Sequence, residues 1–185
     1  DSLRVSLHIS PVQFEANGFV QCIEQVLADT DLDRALQART SHRHRRCSND
    51  RVLSGSGLAE IYLTLCEREG QTPRYATSQQ LVPAALGQED DLAVRSCREF
   101  ARMLGRAAGD LALVFLATGG VFVTGGMAHA LQALMVGPDS SFLQAFGAKG
   151  RMAATMETFP VHLVLDDNAA LLGCHEFQTA LSPPA

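Results

Sequence analysis

Apolar residues in the middle of the chain recur at intervals of three and four positions, the spacing of one face of an α-helix. Leu58, Ile61 and Leu65 form such a stripe, and Gly70 with Pro73 marks its end. The sequence therefore predicts a helix that begins near residue 58 and stops before residue 70.

Two more helices are predicted further along the chain. A hydroxyl at Thr77 or Ser78 can cap a short helix that runs to Leu86. The longest helix begins near Asp90 and Asp91, whose carboxylates interact favourably with the helix dipole. Its predicted buried side consists of Leu92, Phe100, Met103, Leu104, Ala107, Leu111 and either Val114 or Phe115.

Two glycines lie one turn apart inside this longest helix. Gly105 and Gly109 would each weaken an isolated helix by about 1 kcal/mol relative to alanine. We therefore expect another part of the chain to approach this face closely.

Two short runs of β-branched and aromatic residues predict buried strands, over 121–123 and over 161–165. Helices are predicted over 127–135 and 140–146, and Asn168 can cap a last helix that runs through Phe177. The chain start predicts a strand end at 5–7 and a short amphipathic helix over 18–28. Strands separated by helical connections indicate an α/β fold with parallel pairing.

Length and composition bound the class of protein. The chain has 185 residues, of which 46% are hydrophobic, enough for one domain with its own core. No apolar run reaches the roughly 20 residues that span a bilayer, and the start has no signal-peptide pattern, so a cytoplasmic protein is expected. The five cysteines are widely spaced without a Cys-x-x-Cys pair, which favours reduced thiols.

A basic run over residues 39–46, followed by Cys47, suggests either nucleic acid or zinc. Its two histidines and one cysteine fall short of the four ligands of a structural zinc site, so no metal site is predicted. The net charge of −5 argues against general nucleic-acid binding. A solvated surface is the preferred interpretation, and nucleic-acid contact through this run stays a minor option.

The most informative segment is the strand over 121–123, because a glycine pair flanks it on each side. Gly119 and Gly120 precede the strand, and Gly125 and Gly126 follow it and open onto a helix. Glycine lets a backbone turn sharply or approach a ligand, and a helix start offers unpaired N–H groups. The segment predicts a nucleotide site, with ligand-free strand-to-helix packing as the alternative. The spacing differs from the Gly-x-Gly-x-x-Gly of a Rossmann fold.

Four segments, in this order and spacing, carry a resemblance to the bacterial glucokinase family, which covers about two-thirds of the chain. They are Arg51-Val52-Leu53-Ser54-Gly55-Ser56-Gly57-Leu58, the run from Leu104 to Leu113, the run from Gly119 to Met127, and the run from Pro160 to Gly173. The resemblance implies the large lobe of an actin-like (ribonuclease H-like) ATPase fold, helix-rich with a sheet and without its small lobe. It divides the chain into a divergent segment, 1–50, and a glucokinase-like portion, 51–185.

The resemblance also implies a function. The family transfers the γ-phosphoryl group of ATP to the 6-hydroxyl of glucose at the start of glycolysis, with Mg²⁺ as cofactor, and glucose or a related hexose would be the substrate. By this resemblance the adenosine side of the ATP site falls on Gly119, Gly120, Gly125, Gly126 and Met127.

Two positions depart from the family pattern. Asp50 stands where the family has a glutamate that binds sugar hydroxyls, so it is a candidate glucose contact, with a helix cap as its alternative role. Ser56 stands where the family usually has proline. His129 is expected to be an exposed surface histidine, and neither His162 nor the Asp167-Asn168 pair is expected to be catalytic.

The catalytic elements of the family have no counterpart here. They are a catalytic Asn-Asp pair, the phosphate-binding Asp-x-Gly-Gly-Thr and Gly-Thr-Gly hairpins, and a sugar-binding Glu-Gly-Gly-His segment. No catalytic residue is therefore assigned, and the isolated chain is expected to be incomplete, with at most weak nucleotide binding and no turnover. The alternative is a non-catalytic dimerisation or regulatory module with an ATPase-lobe fold, and a homodimer is expected in either case.

Overall fold

The computed structural model describes residues 5–8, 30–45, 48–166 and 168–181. Its strands are β1 (Val5–His8), β2 (Val121–Thr124) and β3 (Val161–Leu163). The helices before β2 are α1 (Asp31–His44), α2 (Asn49–Val52), α3 (Gly55–Arg68), α4 (Ser78–Leu86) and α5 (Asp91–Phe115). Those after it are α6 (Gly126–Ala130), α7 (Gln132–Met135), α8 (Ser141–Gly147), α9 (Ala153–Met156) and α10 (Ala169–Leu181), with a 3₁₀ turn over Gly150–Met152.

The strands form one parallel sheet in the order β1-β2-β3. Val121 of the central strand lies opposite Val5 on one side and Val161 on the other. Parallel neighbours need long connections, and helices supply them here. The α/β class, the parallel pairing and the strand at the chain start are confirmed, while the helix predicted over 18–28 lies outside the described residues.

The core packs around α5, the longest helix. All six of its residues predicted to be buried between Leu92 and Leu111 are buried, whereas Val114 and Phe115 at its end are 56% and 39% exposed. The alternative of Val114 or Phe115 as a buried end of the stripe was therefore wrong. The helix ends at its C-cap, Leu116, which adopts a left-handed conformation.

The close approach predicted at Gly105 and Gly109 is confirmed. A Cβ at Gly105 would lie 2.1 Å from the Phe142 carbonyl oxygen of α8, and one at Gly109 would lie 2.6 Å from that of Phe146. Helix α8 therefore packs with its backbone directly on α5. Lys149, the only lysine, fixes the same interface by donating from Nζ to the Arg106 carbonyl at 2.9 Å and to Asp110 at 2.7 Å.

A buried carboxylate joins helix α1 to helix α5. Asp33 has no exposed surface and accepts hydrogen bonds from Arg102 at 2.7 Å and Arg106 at 2.9 Å, both on α5. Asp33 also completes a capping box with Thr30 at the start of α1. A buried charge is tolerated only with such partners, so these bonds fix how α1 docks.

Two predicted elements end or break earlier than expected. The helix predicted over 127–135 is interrupted at Leu131, which caps α6 and begins the separate helix α7. The side chain of Leu131 is buried, so it packs into the core at the point where the helix is interrupted. The strand predicted over 161–165 stops at Leu163, and Leu165 is 51% exposed.

Candidate functional site

The carboxyl end of β2 is the place where three helix starts converge. A Cβ at Gly55, the first residue of α3, would lie 2.7 Å from Oγ of Ser78, the first residue of α4, and 3.7 Å from Sδ of Met127 in α6. Ligands of open parallel sheets bind beyond the carboxyl ends of the strands, where helix starts offer N–H donors. This edge is therefore the candidate nucleotide site.

The turn from β2 into α6 depends on its glycines. Gly125 has a φ of 110°, which side-chain-bearing residues rarely adopt, and it serves as the N-cap of α6. Nothing lies within 4 Å of the position that a Cβ on Gly126 would occupy. The backbone at Gly126 is thus accessible to a ligand on the solvent side.

The other glycine pair lies at the opposite end of β2. Gly120, with a φ of 115°, would place a Cβ 3.2 Å from the His162 ring and 3.4 Å from that of Phe122. These two rings stack with centroids 4.9 Å apart. Gly120 and Gly125 are five residue steps apart along an extended chain, which is about 16 Å. The assignment of both pairs to one ATP site stays a prediction, and the structure shows that Gly120 of the first pair lies against the stacked rings of Phe122 and His162.

The loop before α3 is built around one glycine. A Cβ at Gly57 would lie only 2.0 Å from the Val52 carbonyl oxygen, so α2 and α3 meet too closely for any side chain. Ser54 caps α3 by accepting from the Gly57 N–H at 3.2 Å, and its hydroxyl lies 2.9 Å from that of Ser56. This loop, which belongs to the first segment of the family resemblance, thus forms a tightly packed start of α3 at the candidate site.

Asp50 is the second residue of α2. The first hydrogen bonds of this helix are accepted by the carbonyl oxygen of Ser48, which precedes it. Its backbone therefore does not occupy a helix-cap position, and the cap of the next helix is Ser54. The side chain of Asp50 lies outside what the structure describes. Its contact with glucose stays a prediction.

The histidines next to the strands differ in exposure from what the sequence predicts. His129, expected on the surface, is partly buried and forms a 2.6 Å hydrogen bond with the Val164 carbonyl oxygen. His162 is exposed and stacks on Phe122. For the last helix, the Asn168 carbonyl accepts the bond from the Leu172 N–H, and Asp167 lies outside the described residues.

The basic run forms the second half of α1 in the part that is described. Arg39 pairs with Glu60 at 2.7 Å and with Glu67 at 2.5 Å, both on α3. The hydrogen bonds that Arg39 donates to Glu67 and Glu60 raise the pKa of Arg39 above its usual range. Arg39 therefore holds α1 to α3 rather than standing ready for a phosphate.

The described residues provide no ready metal site. Among residues 5–8, 30–45, 48–166 and 168–181, no group of three or more His, Cys, Asp or Glu side chains is arranged to hold a metal ion. Within the same residues, no helix is long and apolar enough to cross a membrane.

The helix-rich architecture with its small parallel sheet is similar to the α/β fold of a known kinase. A glucokinase from an Antarctic psychrotroph has a similar crystal structure, with a TM-score of 0.73 and 32% sequence identity over 84% of this chain and 48% of that one. The family model described as glucokinase matches residues 24–180. The chain belongs to the glucokinase family. The family match begins before Arg51, and the division of the chain at residue 50 stays a prediction.

Curated relatives agree with the family assignment. The glucokinase of Mesorhizobium japonicum is 38% identical over 128 residues, which are 69% of this chain and 37% of the relative. That of Marinobacter nauticus is 37% identical over 150 residues, which are 80% of this chain and 45% of the relative. The chain thus spans less than half the length of the relatives it matches.

Proposed function

We propose that this chain supplies the nucleotide-binding part of an ATP-dependent glucose kinase, which forms glucose 6-phosphate at the entry to glycolysis. The observation that carries this proposal is the family match over residues 24–180. The convergence of three helix starts at the carboxyl end of β2 supports it, because such an edge suits the polar groups of a nucleotide. The lobe would be that of an actin-like ATPase, located in the cytoplasm.

The nucleotide would lie at the turn that follows β2. Gly125 and Gly126 let the backbone approach the adenosine, and Met127 beside Gly55 and Ser78 borders the same space. Gly119 and Gly120 belong to the same family segment but act from the far end of β2, where they set the turn beneath Phe122 and His162. On this proposal, substitutions at 125–127 affect nucleotide affinity directly.

Phosphoryl transfer itself needs parts beyond those described. A general base must accept the proton of the sugar hydroxyl, and magnesium must neutralise charge on the transferring phosphoryl group. The described residues show no cluster that fits the metal, so no step is assigned to magnesium here. Asp50 is proposed as a sugar contact and not as the base.

Calorimetry and a coupled assay test the proposal together. Titration of the chain with ATP should show saturable binding, and Gly126→Val should abolish it because a branched side chain would fill the open space at that turn. The matched control is Gly147→Val, at another glycine with open surroundings at the end of α8. Glucose 6-phosphate formation should stay at background for the isolated chain. Absence of ATP binding by the unmodified chain would contradict the nucleotide role.

A second candidate is a non-catalytic module that pairs with a second copy of itself. The observation in its favour is the apolar surface of α10, where Leu171, Leu172 and Phe177 are 69%, 54% and 68% exposed. Light scattering that shows a stable dimer, together with no heat from ATP or glucose, would favour this function. A monomer that binds ATP would exclude it.

A further inference from the structure

His129 of α6 contacts the residue that follows β3 through a single carbonyl group. Its Nε2 lies 2.6 Å from the carbonyl oxygen of Val164, just beyond β3. A carbonyl oxygen only accepts hydrogen bonds, so Nε2 must carry the proton. This contact fixes the tautomer of the imidazole ring and ties α6 to the end of β3.

The backbone of the same residues completes a closed arrangement around the turn. The His129 N–H donates to the Gly125 carbonyl at 3.0 Å, and the Val164 N–H donates to the Val123 carbonyl of β2 at 2.9 Å. Val164 therefore bonds β2 through its N–H and α6 through its C=O. The turn over 125–128 is held at both ends, one end by β2 and the other by His129.

The turn needs such support because its own stabilisation is small. Helix α6 has five residues, and its N-cap, Gly125, offers no side chain to satisfy the first N–H groups. Only Ala128 within α6 is buried. A glycine with a φ of 110° is also free to adopt other conformations once its surroundings loosen.

We propose that His129 is a positioning residue for nucleotide binding, which holds the Gly125–Gly126–Met127 backbone in its ligand-accepting conformation through the Val164 carbonyl. The inference rests on the proposed function of this edge as the nucleotide site. His129 touches the ligand in no step. It acts through the turn, so its loss would shift the backbone over 125–127 rather than remove a ligand contact.

Two substitutions at this position distinguish a role of the His129 hydrogen bond from a role of side-chain volume alone. His129→Ala removes the donor, and we expect ATP affinity measured by calorimetry to fall about tenfold, the effect of losing one hydrogen bond. His129→Gln keeps an N–H donor of similar reach, and affinity should return to within about twofold of the unmodified chain. His175→Ala, at an exposed histidine of α10, is the matched control and should leave affinity unchanged.

Hydrogen exchange followed by mass spectrometry gives a readout that needs no nucleotide. In His129→Ala, exchange of the segment 125–131 should accelerate while that of α3 and α5 stays unchanged, and His129→Gln should restore protection. Equal ATP affinity and equal exchange in His129→Ala would overturn the inference while leaving the nucleotide site intact. If the unmodified chain binds no ATP, the proposed function fails, and with it the role of His129 in binding.

Discussion

Tyr62 is a core residue whose hydroxyl group is held from two sides. It is 1% exposed, donates to Asp90 at 3.2 Å and accepts from the Arg74 N–H at 3.2 Å. Burial raises the pKa of Tyr62 to about 12, because the phenolate would lose its hydration and would lie close to the negative charge of Asp90. The phenol is therefore a structural group that ties the start of α5 to α3.

This arrangement predicts a loss of stability in alkali. An unfolded tyrosine ionises near pH 10, so above that value the unfolded chain releases a proton that folded Tyr62 keeps until about pH 12. The free energy of unfolding should fall as pH rises from 10 to 12. The chain has two tyrosines, so in Tyr75→Phe the ultraviolet absorbance of tyrosinate reports Tyr62 alone.

The expected midpoint of that absorbance change is about pH 12 while circular dichroism shows a folded chain. Tyr62→Phe is the matched variant, and its unfolding free energy should depend less on pH between 10 and 12. A folded Tyr75→Phe chain that titrates near pH 10 would contradict the burial of Tyr62 described here.

The packing of α8 on α5 is the largest helix contact of the core, and it depends on an absent side chain. Gly105→Ala would place a methyl group 2.1 Å from the Phe142 carbonyl oxygen, so α8 must move away. We expect a loss of about 1–3 kcal/mol in the free energy of unfolding, measured by urea denaturation.

Gly147→Ala is the control for this substitution. Its Cβ would meet nothing within 4 Å, and alanine has the higher helix propensity, so stability should stay equal or rise slightly. A neutral Gly105→Ala would mean that the two helices lie further apart than the structure shows.

The sequence predicted the elements that are decided by local spacing. The stripes of α3 and α5 repeat over several turns, so their type and burial could be read from the residues alone. The break at Leu131 could not, because the apolar pattern continues through it and the interruption lies in the backbone conformation of Leu131.

The candidate site combines local and long-range features. The glycine pairs flank a strand that the sequence predicts correctly, while their role in ATP binding stays a prediction. The approach of Gly55 to Ser78 and to Met127 joins residues about 20 and 70 positions apart, and no local pattern reveals such contacts. His129 lacked a signal as well, because its partner is a backbone carbonyl that any residue could supply.

The last helix stands apart from the core that α5 organises. The described side chains of α10 are exposed apart from that of Ala169, which is partly buried, and Leu171, Leu172 and Phe177 present apolar surface to solvent. Burial of apolar surface is the main source of stability, so α10 contributes little to the isolated chain.

A chain that ends at Asn168 tests this conclusion. Because the removed residues bury little surface, the midpoint of thermal unfolding should change by less than about 2 °C. The self-association measured by light scattering should fall at the same time, since the exposed leucines and phenylalanine leave with α10. Leu58→Ala in α3 is the contrasting variant. That side chain is fully buried, so its truncation should lower the free energy of unfolding by about 2–5 kcal/mol. A drop in midpoint after truncation that matches the effect of Leu58→Ala would show that α10 packs on the body of the protein in solution.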